Sequence, residues 1–115
     1  MKRESRDQAY LWDMLDFARQ ARALVARQSF AKFDKDSMRK LALERAMELL
    51  GEAARRVSEE GKRRHPGIEW RRLIGQRNVL AHDYGEIDHR RLYDSARTKV
   101  PVLIAELDRI LGDTQ

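Results

Sequence analysis

Residues 70–94 read WRRLIGQRNVLAHDYGEIDHRRLYD, and how this stretch is divided decides the fold. Trp70, Leu73, Ile74 and Arg77 recur at helical spacing and share one face, with Leu80 and Ala81 continuing the pattern. A second start signal follows: Asp88 as N-cap, with Ile87 and Leu92 placed as a hydrophobic staple. The stretch is therefore a corner between two helices. At that corner stand Arg77, His82 and Tyr84, in the order Arg, four residues, His, one residue, Tyr. Arginine presents a permanently charged, planar fork of donors to phosphate oxygens. Histidine titrates near neutral pH and can take or give a proton. Tyrosine adds a hydroxyl that donates to an anion or is itself modified. Together the three can act on a phosphodiester, and no other part of the chain offers the combination.

Working outward, the preceding KRRHPGIE reads as a basic connection, because Pro66 pushes His65 out of helical conformation and Gly67 permits a turn. The third helix then starts near Glu69 or Trp70. Before the connection lies the stripe Met38, Leu41, Ala42, Ala46, Leu49, Leu50, Ala53, Val57. Asp34 or Asp36 caps it and Gly61 closes it, a second helix of about 25 residues. Gly51 inside that helix costs about 1 kcal/mol relative to alanine, which calls for close approach of a neighbouring backbone. Arg45, Glu48 and Glu52 sit near one edge of the stripe, as surface pairs or, for Glu52, within reach of Arg77. Ser5 and Gln8 form a capping-box pattern for a first helix over 6–27, and RQSFAKFD adds a short ordered connection carrying Phe30 and Phe33. The fourth helix runs from Asp88 to Gly112, bent at Pro101. The expected architecture is all-α, an antiparallel four-helix bundle with a short extra helical turn, and residues 1–115 are expected to form a single domain.

The chain holds no cysteine, so disulfides, thiolate metal sites and a cysteine nucleophile are excluded, and no metal-ligand set is proposed. A reducing, cytoplasmic setting fits. The longest apolar runs are a few residues, which leaves no membrane span and no secretion signal to propose. Charged residues make up 37% of the chain, and net charge is +5. Residues 55–99 alone hold 12 basic and 7 acidic side chains, so the basic excess gathers around the motif, as an anion-binding surface requires.

Each site residue also has an ordinary structural reading. His82 could be a helix-end histidine on a carbonyl, Arg77 could simply pair with Glu48 or Glu52, and Tyr84 could cover the end of the core. For Tyr93 the core role is preferred, and His65 and His89 are read as exposed. In an unbroken helix, His82 lies about 140° around from Arg77. Either the helix loosens near His82, or a second chain completes the site.

These residues resemble a known family. RNVLAHDY matches the Arg, four to six residues, His, any residue, Tyr signature of the HEPN superfamily. The segments LLGEAARRVSEE, HPGIEWRRLIGQRNVLAHDYGEIDHRRLYD and KVPVLIAEL, across roughly residues 34–110, are similar to HepT toxins of toxin–antitoxin pairs. The resemblance implies a HEPN-like bundle, a homodimer that joins two motifs in one basic cleft, and metal-independent RNA cleavage with no cofactor. It further implies a type VII system whose partner, an MntA-like nucleotidyltransferase antitoxin, adenylylates the motif tyrosine. By position, Arg77 and His82 carry over as catalytic residues and Tyr84 as RNA contact and modification acceptor. Asn78, Asp83 and Glu52 would support them. The alternative is a non-catalytic companion that presents nucleotide or substrate to such a nucleotidyltransferase.

Overall fold

The computed structural model describes residues 3–82 and 87–112, and among these every regular element is a helix. In chain order they are α1 (Arg3–Val25), α2 (Phe30–Asp34), α3 (Ser37–Arg56), α4 (Glu59–Arg64), α5 (Trp70–His82), α6 (His89–Thr98) and α7 (Val100–Gly112). Merging α3 with α4, and α6 with α7, recovers the expected four-helix bundle, with α2 as the extra turn. α3 packs on both α1 and α5, and α7 packs on α1. The core gathers where α1, α3 and α7 meet: Met14, Leu15, Leu43, Met47, Leu50, Leu107 and Leu111 are buried completely or nearly so.

Helix boundaries depart from the sequence reading at both ends of the first helix and within the second and fourth. α1 begins at Arg3 rather than at residue 6, because Arg3 and Glu4 are able helix formers; Ser5 therefore lies inside the helix and is not its cap. It ends at Val25, two residues early, since Arg27 takes the left-handed conformation (φ 61°) and turns the chain. Ser29 then caps α2 by accepting from the Lys32 N–H at 3.2 Å, and Phe33 plunges into the core.

The long second helix is broken. Val57 is extended, and Ser58 caps the new helix α4 by accepting from the Gly61 N–H at 3.0 Å. Asp7 of α1 holds the break open by accepting from the Ser58 N–H and hydroxyl. Gly61 is therefore not a helix terminator: it is buried inside α4, where a Cβ would stand 2.5 Å from Asp7. The fourth helix also divides, at Lys99. Pro101, which has no N–H to give, falls in the first turn of α7 where none is needed.

Three local expectations are met. Asp36 and Asp88 both act as N-caps, accepting from the Arg39 and Arg91 N–H groups. Gly51 is where α3 and α5 come together, since a Cβ there would lie 2.3 Å from the Arg77 Cβ and 2.6 Å from the Leu73 carbonyl oxygen. Tyr93 is a core residue: its ring meets Phe30 edge-to-face and lies tilted against Phe33, and its hydroxyl donates to the Gln28 carbonyl. No helix among the described residues is long and apolar enough to cross a membrane.

Candidate phosphodiester site

Leu73 is the only α5 side chain buried in the core. Arg77, one turn further on, follows it onto the side facing α3. With no side chain on Gly51, the Arg77 stem lies against the α3 backbone and its charge emerges beside Glu52. The Arg77 Nε lies 3.0 Å from the Glu52 carboxylate, an ion pair whose N–H is not aligned on the oxygen, while Nη1 donates to the Asn78 amide oxygen at 3.0 Å. The guanidinium is half-buried and held from two sides. Glu48, the other acid considered for it, pairs with Arg45 instead.

Glu52 serves more than Arg77. It also takes both prongs of Arg55, at 3.0 and 2.9 Å, and the Nε of Arg56 at 3.0 Å. Three guanidinium groups thus share one carboxylate. Hydrogen bonds from Arg55 and then Arg56, with the charge of Arg77 adding to them, hold the Glu52 carboxyl down at about 2. A surplus of positive charge remains for an incoming anion. Arg55 and Arg56 were absent from the motif reading. Their signal was their spacing, three and four residues beyond Glu52 on one helix.

His82 is the last residue of α5 and is exposed. The helix runs unbroken to it from Trp70, so within one chain Arg77 and His82 sit about 140° apart around the axis. The loosened helix is not what the chain adopts up to His82. Asp83 and Tyr84 lie outside the described residues.

The other two histidines differ from expectation. Both are half-buried rather than exposed. His89 begins α6 with Nε2 2.7 Å from Glu44. His65 sits in the loop after α4, where its carbonyl accepts from the Trp70 indole N–H at 3.0 Å. Burial, with Arg109 nearby, pushes the His65 imidazole below its usual value.

Against this geometry, the family model described as "Ribonuclease HepT-like" matches residues 14–110. The chain belongs to the HepT-like ribonuclease family. A Thermococcus cleftensis protein named "Probable ribonuclease HepT" is 30% identical over 110 residues, covering 96% of this chain and 98% of that one. A Methanocaldococcus jannaschii protein named "Putative RNase MJ1380" is 29% identical over 100 residues, 87% of this chain and 92% of the other. No solved structure matches. The HepT-like match spans both helices that build the Arg77 site, all of α3 and all of α5.

Proposed function

We propose that this protein is a metal-independent endoribonuclease toxin acting as a homodimer, with Arg77 and His82 as its catalytic groups. The observation that carries the proposal is the cluster around Glu52, where one carboxylate orients three arginines and leaves cationic charge for a phosphate. The chemistry is attack of a ribose 2′-OH on the adjacent phosphorus. A base takes the 2′ proton, the O2′–P bond forms, the P–O5′ bond breaks, and an acid returns a proton to the leaving 5′ oxygen. The products are a 2′,3′-cyclic phosphate and a 5′-hydroxyl. Neutral His82 of one chain is the base and protonated His82 of the partner subunit is the acid. Arg77 holds the non-bridging oxygens as charge builds on them.

Two features support a dimer. An unbroken α5 turns Arg77 and His82 away from a single phosphate, so a second chain is needed to bring both kinds of group together. Met38 and Leu41, which share the outer face of α3 with Arg45 and Glu52 by helical spacing, are 78% and 60% exposed. Apolar side chains so exposed beside the site are suited to contact between copies.

Regulation by a nucleotidyltransferase antitoxin follows from charge. AMP attached to Tyr84, two residues beyond His82, would bring a phosphodiester anion to the cations that bind RNA. The family resemblance supports this as a type VII pairing.

The direct test is incubation of the protein with single-stranded RNA in excess chelator, with the product ends analysed. Cyclic phosphate ends that vanish in the His82→Ala protein are expected, and an inert parent, or an equally active variant, would overturn the reading. For the antitoxin, mass spectrometry after incubation with the neighbouring nucleotidyltransferase and ATP should find an AMP adduct on Tyr84. An adduct elsewhere would remove that role from Tyr84.

A further inference from the structure

The flank of α5 turned away from Arg77 ends at His82 and, ahead of that residue, forms one wall of a groove whose other wall is α6. The groove holds about 600 Å³, within the range of pockets that take a small organic ligand. It is open because Gly75 has no side chain; a Cβ there would meet nothing within 4 Å. Val79, 52% exposed, and the half-buried Leu80 and Ile87 give it an apolar lining.

Its charged groups are mainly cationic, four against two carboxylates. At the floor, Arg72 donates from Nη1 to the Ser95 hydroxyl at 3.3 Å, and its Nε lies 3.3 Å from Glu69 without an aligned hydrogen bond. At the rim stand Arg71, Arg91 and Lys99, all exposed, and none makes an ion pair among the described residues. Many other cations of this chain are paired, Arg19, Arg39, Lys40 and Arg64 among them. Both carboxylates of the groove are engaged, Asp88 capping α6 and Asp94 pairing with Arg90. What remains on offer is an apolar slot edged by cations that no acid among the described residues pairs with. Such a slot complements a nucleotide, with its base against the lining and its phosphate at the rim.

The position also fits. His82 follows Gly75 by seven residues and Val79 by three, so the mouth of the groove and His82 share one edge of α5. We propose that the groove between α5 and α6 is a nucleotide subsite for single-stranded RNA, receiving the residue next to the phosphate held at the motif. The word "next" rests on the ribonuclease reading; the binding itself does not.

The test is fluorescence anisotropy with a fluorescein-labelled, single-stranded 2′-O-methyl RNA, which binds but carries no 2′ nucleophile. Gly75→Trp fills the groove from a position where the fold has room, and the pair Arg91→Glu with Lys99→Glu reverses the rim. Each should weaken binding about ten-fold or more, and the rim pair should also flatten the salt dependence. Arg63→Glu, a single charge reversal on α4 to be set beside Arg91→Glu alone, should weaken it about two-fold at most. Unchanged affinity in the folded Gly75→Trp and rim variants, while Arg77→Ala loses RNA, overturns the subsite. So does loss of the dimer, or of antitoxin binding, in Gly75→Trp with RNA affinity intact, because the groove would then be a protein contact. A parent that binds this RNA through the groove, yet leaves ordinary RNA uncut, removes the ribonuclease reading and leaves the subsite standing.

Discussion

The contact of α1, α3 and α7 and the contact of α3 with α5 are both helix packings, but they are built differently. The first is made of large side chains, Met14, Leu15, Leu50 and Leu107 among them, interlocked and dry. The second is made of an absence: Gly51 lets α5 close on α3, with Leu73 as its one core side chain and Arg77 passing over the glycine. A core of interlocked side chains resists change through the free energy of burial. The glycine contact adds little burial, and what it sets is where one guanidinium points. Stability and chemistry are thus placed in neighbouring but separable parts of α3.

Four substitutions sharpen or break that distinction. The largest effect is expected from His82→Ala, at the exposed end of α5: a loss of about 10²- to 10⁴-fold in RNA cleavage, with melting temperature unchanged because the side chain is exposed. A large fall in melting temperature would make His82 a structural residue and blur the two regions. Leu50→Ala, in the dry contact, should do the reverse. It should lower unfolding free energy by about 2 to 5 kcal/mol in a denaturant titration, while cleavage per folded molecule stays near that of the parent.

Gly51→Ala addresses the boundary between them. The added Cβ overlaps the Arg77 stem and the Leu73 carbonyl oxygen, so α5 must move outward at a cost of about 1 to 3 kcal/mol. Cleavage should fall further than stability accounts for, since Arg77 moves with the helix. Equal losses of both, or no loss of either, would show that the close approach does not position the arginine.

The smallest effect belongs to Glu52. Its carboxyl binds a proton near pH 2 in the fold and near pH 4.5 in the unfolded chain, so between those values the unfolded state holds more protons. The stabilisation is complete above pH 4.5 and disappears as pH falls towards 2. Melting temperature followed across that window should drop more steeply for the parent than for Glu52→Gln. Parallel acid profiles would mean that the three arginines do not depend on this carboxylate.

Much of this was legible in the sequence, and what was missed shares one cause. Helix content and the Asp36 and Asp88 caps are set by residues within a turn of one another, where short-range sterics and hydrogen bonding decide; Pro101 signalled an interruption of the last helix, which falls at Lys99 as a division and not a bend. The Arg77–Glu52 pairing stood only as an alternative to surface pairs, since Gly51 signalled that a backbone comes close without saying which. The break after Val57 was not legible, since it depends on Asp7, 51 positions from Ser58. His89 was read as exposed because nothing near it announces Glu44 of α3, 45 positions away. The Arg55 and Arg56 contribution lay in plain helical spacing but outside the motif that drew attention.

By itself, the sequence determined that the chain is helical, where α3 and α6 begin, and that one corner carries an arginine and a histidine fit for phosphodiester chemistry. Those are consequences of side-chain period, capping and acid–base character, all readable along the chain. Only the tertiary structure decided that one carboxylate would gather three arginines, that α5 would run unbroken past Arg77 to His82, and that α5 and α6 would part into a cation-edged groove. Each depends on how far two helices approach, and that distance is set by the volumes of side chains remote in sequence.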